Sequence, residues 1–319
     1  MCSIEGLREI IYEELSSVIN NDYVLWDLPY HRNIGDTLIY QGELDFLSDI
    51  QYKCLDYSSH IFNDFPELDT KVIILLHGGG NFGDIYPEAQ EYRRKVISKY
   101  KNNKIILLPQ TIHFNDLSNI DKDIDVYNNH PNLFLYFRDH KSYDLAKSTF
   151  GNQLHIGLLP DMAFCIKELN IKKYYPNERE GLKGNLFLKR IDNEANVQEY
   201  FFKESDFDVF DWPTFEKNSI IMSFLFVMTT FVTKTSALNF CLKPFITFYY
   251  NKIVKKYLIK KGVVFLYAYN TIYTTRLHGC ILSILMEKKI VLLDNSYGKN
   301  LGFYKAWLSN FEKISLYEQ

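Results

Sequence analysis

The sequence lacks the signatures of several large classes of protein. Its five cysteines are an odd number without CxxC spacing, which disfavours a disulfide framework and a cysteine zinc site. The lysine of a P-loop is also missing, which disfavours an NTP-binding loop of that type. The formal net charge of -3 gives no general attraction for a polyanion, so we expect no nucleic acid partner. The histidines outside the motifs below have no metal-ligand spacing, so we predict no metal and no cofactor.

The chain also contains no apolar run long enough to cross a bilayer. Its most apolar stretch, residues 220–232, has 13 residues, whereas about 20 are needed. The N-terminus, MCSIEGLREIIYEEL, has the pattern of an amphipathic helix with acidic residues and does not resemble a secretory signal. We therefore expect a cytoplasmic protein with reduced thiols.

Apolar strands alternate with helices along the chain, which predicts an α/β fold built on parallel sheets. A chain of 319 residues exceeds what one hydrophobic core usually supports, so we predict two domains, at residues 1–168 and 169–319. A polar stretch at residues 170–184 is the expected linker. Strands are predicted at residues 23–26, 71–76, 105–108 (ended by Pro109), 133–137, 154–158, 184–188, 207–210, 263–266, 272–274 and 290–293.

Residues 219–261 form an unusual segment, in which an apolar helix is followed by many lysines and aromatic residues. Such a mixture is typical of a segment lying in a membrane interface beside anionic lipid, which here would be the inner leaflet. A pair of buried helices with a solvated lysine face has the same composition, and both interpretations stay open. The lysines are Lys234, Lys243, Lys252, Lys255, Lys256, Lys260 and Lys261.

Polar motifs follow the predicted strands, where parallel sheets place their ligands. In TTRLHG, which precedes a helix predicted from Cys280, Arg276 and His278 can both face one cleft. Arginine offers a planar fork for a carboxylate or phosphate, and histidine titrates near neutral pH, so the pair suits binding an anion while protonating it. Arg138 and Arg190 follow two other strands and offer further anion-binding forks. Salt bridges and a solvated charge cluster are the structural alternatives for these side chains.

The glycine-rich motif HGGGNFGD lies between a strand and a helix, where exposed backbone amides can hold an anion or let a substrate approach. We expect a loop in which Gly79, Gly80 and Asn81 bind the acceptor or shape the site, and a merely tight turn is the alternative. Asp84 is the only carboxylate of the motif, and it is a candidate catalytic group that accepts a proton from a sugar hydroxyl or orients one.

A third motif, HRNIGD, lies at the end of the first predicted strand. His31 adds a polar side chain to this edge of the sheet, and Asn33 and Asp36 are expected to fix the loop by hydrogen bonds. The three residues are candidates for binding the acceptor or for shaping the loop.

Eight segments, taken in order, resemble the polysaccharide pyruvyltransferase family. They are DLPYHRNIGDTLI, ILLHGGGNFGDIY, LLPQTI, YFRDHKSYDLA, LLPDMAF, LKRIDNE, YTTRLHGCILSILMEKK and LLDNSYGKNLGFYKAWL, and together they span residues 27–307. The resemblance is to bacterial capsule-cluster members that add a 4,6-ketal to galactose on a lipid-linked oligosaccharide. Residues 219–261 depart from the family's pattern.

This resemblance implies two Rossmann-like domains facing across a cleft, as in glycosyltransferases of the B type. It implies phosphoenolpyruvate as the donor, a lipid-linked oligosaccharide as the acceptor, and His278 as the general acid. Arg138 and Arg276 would hold the carboxylate and phosphate of the donor, and Asp84 is carried over as a second catalytic residue. We take Arg190, from its position after a strand, as a further donor contact.

Two other functions fit the same sequence. A nucleotide-sugar glycosyltransferase would share the two-lobed fold, because a fold does not fix its chemistry, but it would release a nucleoside diphosphate in place of phosphate. A non-catalytic, membrane-associated assembly protein would use residues 219–261 as its working surface and would show no thermal shift with phosphoenolpyruvate.

Overall fold

A computed structural model describes residues 3–62, 64–177, 183–192, 203, 206–234, 239–296 and 298–317. The first half of the chain forms one parallel sheet with helices on both faces. Its strands are β1 (Tyr23–Trp26), β2 (Cys54–Tyr57), β3 (Ile73–Leu76), β4 (Gly79–Gly83), β5 (Ile105–His113), β6 (Leu133–Phe137) and β7 (His155–Leu158). Its helices are α1 (Ile4–Val18), α2 (Ile34–Leu47), α3 (Pro87–Lys99), α4 (Asp121–Asn128), α5 (His140–Thr149) and α6 (Leu169–Lys172).

The second half forms a smaller parallel sheet. Its strands are β8 (Lys183–Leu188), β9 (Phe207–Phe210), β10 (Tyr269–Thr274), β11 (Lys289–Leu292) and β12 (Ile314–Leu316). Its helices are α7 (Pro213–Glu216), α8 (Ile220–Lys234), α9 (Asn239–Tyr249), α10 (Lys255–Tyr267), α11 (Leu277–Leu285) and α12 (Lys299–Phe303). Two parallel sheets confirm the predicted α/β fold with two Rossmann-like units. The boundary at residue 168 stays a prediction.

Both sheets have a point where the strand order reverses. The first has the order β2-β1-β3-β5-β6-β7, with β4 paired to β5, and the second has the order β12-β11-β10-β8-β9. The reversal lies between β1 and β3 in the first sheet and between β8 and β10 in the second. Loops leave such a point in opposite directions and open a crevice at the carboxyl ends of the strands, where ligands bind. The four strands are followed there by Asp27, His77, Arg190 and Arg276.

Alternate residues of the strands enter two cores, as the two-residue period of a strand requires. Tyr23 and Leu25 of β1 belong to a core that also contains residues of α1, α2 and the second sheet. Val24 and Trp26 belong to a second core, on the opposite face, with residues of α3 and α5. The first core is continuous between the two halves, so the two sheets are held together by buried apolar contacts.

Helices α8 to α10 occupy the segment predicted at residues 219–261, and they pack on the first half of the chain. Tyr250, in a π-helical turn between α9 and α10, is buried with its hydroxyl 3.0 Å from Thr37 Oγ1. Lys255 Nζ donates to Gln41 Oε1 at 2.9 Å. The strand predicted at residues 263–266 is wrong, because these residues continue α10. Four consecutive apolar residues fit a buried helix as well as a strand.

Prolines and glycines account for two other differences from the sequence prediction. The strand predicted to end at Pro109 runs on as β5, with a shift in register between Leu107 and Gln110 that accommodates the missing proline N–H. Part of HGGGNFGD, predicted as a loop, forms the short strand β4.

The helix predicted from Cys280 begins three residues earlier, at Leu277, so His278 lies in its first turn. Residues 178–182 of the predicted linker lie outside the described ranges, and α6 forms in the part before them.

Gly42 allows α2 to lie against the backbone at Met162. A Cβ at Gly42 would overlap the Met162 carbonyl group, which cannot move like the end of a flexible side chain. Gly42→Ala should therefore lower the free energy of unfolding, although alanine normally favours a helix over glycine by about 1 kcal/mol. Gly184→Ala is the matched control, since nothing lies within 4 Å of its Cβ position. Thermal unfolding of both variants tests this, and an unchanged melting temperature for Gly42→Ala would contradict the packing.

Candidate active site

A cavity of about 640 Å³ lies at the carboxyl edges of the two sheets, within the range of small-molecule sites. Both halves of the chain line it, through the loops after β1, β3, β8 and β10 and the first turns of α2 and α11. Gly79 and Gly80 form part of its wall. Its polar and charged lining residues are Asp27, His31, Arg32, Asn33, Asp36, His60, His77, Asn81, Glu88, Arg190, Asp192, Arg276, His278 and Lys299.

His278 is joined to the first sheet through Asp161, which follows β7. Its Nε2 lies 3.3 Å from Asp161 Oδ2, and the same oxygen accepts a hydrogen bond from Arg138 Nη1. Asp161 Oδ1 accepts from the backbone N–H of Ala163 at 2.8 Å, which fixes the carboxylate. Burial alone would raise the pKa of the Asp161 carboxyl, but His278 and Arg138 hold it well below its usual range. The three side chains therefore form one network between the lobes.

The surroundings of the His278 ring lower its pKa below the usual value of an imidazole. Burial lowers the pKa of the imidazole, Asp161 opposes this, and Arg138 adds to the decrease. The ring packs against the start of α2, where a Cβ at Gly35 would lie 2.7 Å from Nδ1. Only glycine permits this close approach, so α2 and α11 position the imidazole from two sides.

Arg138 is fully buried at the end of β6. Its Nε donates to Thr111 Oγ1 at 2.9 Å, and its backbone carbonyl accepts from Trp307 Nε1 of the second half at 2.8 Å. Within the part of the chain that the structure describes, Nη2 has no hydrogen-bond partner. A buried guanidinium N–H without a partner is costly, and here it lies next to Gly80 of the cavity wall. This favours an anionic ligand at that point.

The HRNIGD motif shapes the start of α2. Asn33 Oδ1 accepts from the Gly35 N–H at 2.9 Å as the N-cap, and its Nδ2 donates to Asp36 Oδ2 at 2.8 Å. His31 Nε2 lies 3.5 Å from the same oxygen. Burial alone would raise the pKa of the Asp36 carboxyl, but His31 and His278 lower it below its usual value. Asp36 is thus an ionised group beside the imidazole of His278.

Asn81 and Asp27 are held by a buried arginine of α3. Arg93 Nη2 donates to Asn81 Oδ1, and Arg93 Nη1 donates to the Asn81 carbonyl at 3.1 Å. The same guanidinium pairs with Asp27 at 2.9 Å. Asp27 has a φ of 64°, a left-handed backbone that costs energy in a non-glycine residue and directs the chain at the end of β1. Gly79, with a φ of 141°, makes the corresponding change of direction after β3.

Arg276 is engaged with carboxylates of its own half of the chain. Its Nε and Nη2 donate to the two oxygens of Asp211, and Nη2 also lies 3.2 Å from Asp192 Oδ2. The guanidinium stacks on the Phe215 ring at 4.9 Å from the centroid. The residue lines the cavity as predicted, but its fork is occupied by Asp211, which reduces its capacity to bind a donor anion.

Arg190 and Asp84 have different positions relative to the cavity. Arg190 is part of the wall, and its Nε donates to Asp192 Oδ1 at 2.5 Å. Asp84 lies outside the wall. Its two oxygens accept from the backbone N–H groups of Asn115 and Asp116 at 2.7 and 2.9 Å, which anchors the loop after β5. These contacts give Asp84 a structural role, and its catalytic role stays a prediction that its position outside the cavity wall does not support.

Three features of the site were missed from the sequence. Asp161 follows a predicted strand, as the other candidates do, and that position was the available signal. Lys299 lies in the last family-like segment, which carried no separate prediction. His77 Nδ1 lies 2.8 Å from Glu43 of α2, a pairing across 34 positions that leaves no local pattern.

Comparison with known proteins supports one family. The family model described as Polysaccharide pyruvyl transferase matches residues 33–297. EpsO of Bacillus subtilis (strain 168), to which a pyruvyl transferase activity is ascribed, is 32% identical over 318 residues, covering 98% of this chain and 92% of that protein. Pyruvyl transferase 1 of Schizosaccharomyces pombe (strain 972 / ATCC 24843) is 27% identical over 306 residues, covering 88% of this chain and 68% of that protein.

A solved structure shares the fold over nearly the whole chain. It is that of an uncharacterized protein from Klebsiella pneumoniae subsp. pneumoniae NTUH-K2044, with a TM-score of 0.66 and 21% identity. The alignment covers 98% of this chain and 99% of that one. The extent of the family match, and the identity to EpsO over almost the full length, place the chain in the polysaccharide pyruvyl transferase family.

Proposed function

We propose that the protein transfers the pyruvyl unit of phosphoenolpyruvate to two hydroxyl groups of a sugar, forming a ketal and releasing phosphate. The observation that carries the proposal is the network of Arg138, Asp161 and His278. It combines a buried guanidinium N–H without a described partner, next to Gly80 of the cavity wall, and a titratable imidazole that lines the cavity. A compact anion that must be protonated during the reaction suits this pair. Membership of the family supports a pyruvyl transfer.

The proposed chemistry needs one acid and an anion site. His278, as an imidazolium, donates a proton to C3 of the donor, and positive charge develops at C2. One sugar hydroxyl attacks C2, phosphate leaves with its C–O bond electrons, and the second hydroxyl closes the ketal. Of the two hydroxyl protons, one replaces the proton taken from His278 and the other leaves on phosphate. Positioned acids contribute roughly 10²–10⁴-fold, and fixed cations stabilise the developing charge of the leaving group.

The acceptor in this proposal is the galactose of a lipid-linked oligosaccharide, modified at its 4- and 6-hydroxyls in capsule or exopolysaccharide synthesis. The motif around His31, Asn33 and Asp36 lines the cavity together with His278, and it supplies polar groups for a sugar. Incubation with phosphoenolpyruvate and a lipid-linked galactoside should release phosphate only when both are present. Release of a nucleoside diphosphate from a sugar nucleotide, without any reaction of phosphoenolpyruvate, would support the glycosyltransferase alternative.

We also propose that α8 and α9 dock on the anionic inner leaflet, where a lipid-linked acceptor is held. Phe226 of α8 is an exposed apolar residue. Four further exposed apolar residues of α8 recur at helical spacing, and two more lie on α9. They are Ile220, Phe224, Val227 and Phe231 on α8 and Phe245 and Phe248 on α9. No helix within the described ranges is long and apolar enough to cross a membrane.

Charge on the same segment complements an anionic surface. Five of its seven lysines are exposed, whereas Lys255 is buried and Lys243 pairs with Asp56 and Asp64. The exposed ones are Lys234, Lys252, Lys256, Lys260 and Lys261. Lysines near a membrane surface each contribute about 1 kcal/mol of attraction to anionic lipid.

Replacing two of the exposed aromatic residues by acids should abolish this docking. Phe226 and Phe248 are 70% and 59% exposed, and burying each in lipid is worth about 2 kcal/mol. Phe226→Asp with Phe248→Asp should therefore reduce cosedimentation with phosphatidylserine-containing vesicles by more than about tenfold. Leu117→Asp, at a residue 60% exposed in the first half of the chain, is the matched control. Equal sedimentation of the double variant and the wild type would contradict the docking.

Donor binding should be coupled to proton uptake by His278. The pKa of the free imidazole is lowered by burial, and a bound anion raises it again. The association constant should therefore fall as pH rises from the free to the bound pKa, by up to about tenfold per pH unit. Calorimetry at one pH in buffers of different ionisation enthalpy measures the uptake. His278→Gln is the control, because phosphoenolpyruvate itself titrates alike with both proteins and its share of the proton uptake can be subtracted. Identical proton uptake by wild type and variant would contradict the assignment of this uptake to His278.

A further inference from the structure

Two cationic side chains from opposite halves of the chain meet at Gly80. Arg138 Nη2 lies 2.9 Å from the position of a Cβ built on Gly80, and Lys299 Nζ would overlap that same Cβ. Gly80 and Lys299 both line the cavity. The space that a side chain would fill at residue 80 is thus bordered by an ammonium group and a guanidinium group. An anion at this point would be attracted by both groups.

Hydrogen bonds on both sides hold the backbone of Lys299 in place. Asp294 Oδ1 accepts from the backbone N–H groups of Asn300 and Leu301, both at 3.1 Å, and Asn295 Oδ1 accepts from the Lys299 N–H at 2.8 Å. The Asn300 side chain is buried and donates to the carbonyls of Thr275 and Leu293, both at 2.8 Å. The start of α12 is therefore fixed to the ends of β10 and β11, and the backbone of Lys299 is positioned before any ligand arrives.

Arg276 is already paired with two carboxylates, so the donor site requires another cation besides Arg138. A phosphoryl group with two negative charges is best held by more than one cation, and Arg138 is shared with Asp161. The Arg276 fork is neutralised by Asp211 and Asp192. Lys299 lines the cavity wall, and its Nζ lies next to Gly80, as Arg138 Nη2 does.

We infer that Lys299 and Arg138 hold the phosphoryl group of the donor between them, across Gly80. The inference rests on the proposed function, since it takes phosphoenolpyruvate as the donor. In this arrangement the two cations bind the phosphate that leaves, and the reactive C2 and C3 atoms of the donor lie towards His278. Because each half of the chain contributes one cation, the donor also bridges the two halves.

Binding of phosphoenolpyruvate to Lys299→Gln, measured by calorimetry with the full-length protein, tests the inference. Loss of one charged hydrogen-bonding partner should weaken binding by roughly 10-fold to 100-fold. The inhibition constant for inorganic phosphate should rise by a similar factor, and that for pyruvate should not change. Lys305→Gln, at an exposed lysine six residues further on, is the matched control and should bind like the wild type. Gly80→Ala should weaken binding as well, because its Cβ occupies the phosphoryl position.

The outcomes separate the two proposals. If Lys299→Gln binds phosphoenolpyruvate as tightly as the wild type does, the assignment of Lys299 is overturned and the proposed function stays in place. A weaker affinity for pyruvate with an unchanged affinity for phosphate overturns it as well, because Lys299 would then contact the carboxylate end. A wild-type protein that neither binds phosphoenolpyruvate nor releases phosphate from it overturns both.

Discussion

Replacing His278 with glutamine should reduce turnover by roughly 10²–10⁴-fold, the contribution expected of a positioned general acid. Glutamine is similar in length and can still donate to Asp161, so the Arg138 network and the donor site should persist. The affinity for phosphoenolpyruvate should therefore change much less than the rate of phosphate release. Steady-state phosphate release, together with donor binding by calorimetry, measures the two effects separately.

His140→Gln provides the control for this substitution. His140 is exposed at the start of α5, away from the cavity wall, so the same change of side chain should leave both turnover and binding unaltered. A His278→Gln protein that released phosphate at nearly the wild-type rate would remove His278 from the chemistry. A protein that lost donor binding and turnover in parallel would make His278 a binding residue instead of an acid.

Asp161→Asn should lower both stability and activity. Arg138 and Asp161 are 0% and 1% exposed, so the variant leaves a buried guanidinium without its counter-charge. Removing one partner of a buried ion pair costs about 3–5 kcal/mol. Without the carboxylate, the pKa of the His278 imidazole should fall further, which removes the imidazolium needed for protonation. Chemical denaturation measures the first effect, and phosphate release from the folded fraction measures the second.

A double variant separates the structural role of Asp161 from its role in the reaction. Asp161→Leu with Arg138→Met removes both charges, and apolar replacement of a buried pair often restores stability. We expect this protein to fold with a stability nearer the wild type and to remain inactive. Wild-type activity in the double variant would show that the network serves the fold alone, and wild-type stability in Asp161→Asn would show that the pair is not buried as described.

Much of the fold is predictable because continuous apolar strands such as β3 and β6 are strong signals in a parallel sheet. Besides β4, which was predicted as a loop, two strands were missed. These strands, β2 and β12, are short edge strands with partly exposed residues, so their patterns are weak. The incorrect strand at residues 263–266 came from an apolar run that periodicity alone cannot assign. Tertiary contacts with α2 decide in favour of helix α10.

The candidate site was predictable to the extent that it consists of residues at strand ends. His31, Asn33, Asp36, Arg190, Arg276 and His278 all line the cavity, because parallel strands bring their carboxyl ends to one edge. The partners of these residues were not predictable. Asp211 lies 65 positions from Arg276, and Asp161 lies 117 positions from His278, so no local pattern links them. Because Asp211 accepts from Arg276 and Asp161 accepts from Arg138, these distant carboxylates determine how much of each guanidinium is left to bind a donor.

The most direct test of the account is the reaction with phosphoenolpyruvate and a lipid-linked galactoside in deuterium oxide. Protonation of C3 creates the methyl group of the ketal, so mass spectrometry should show a product that carries one pyruvyl unit with one deuterium on its methyl carbon. His278→Gln should form this product at a rate lower by two to four orders of magnitude. A pyruvylated product without methyl deuterium, or no transfer from phosphoenolpyruvate at all, would contradict the account.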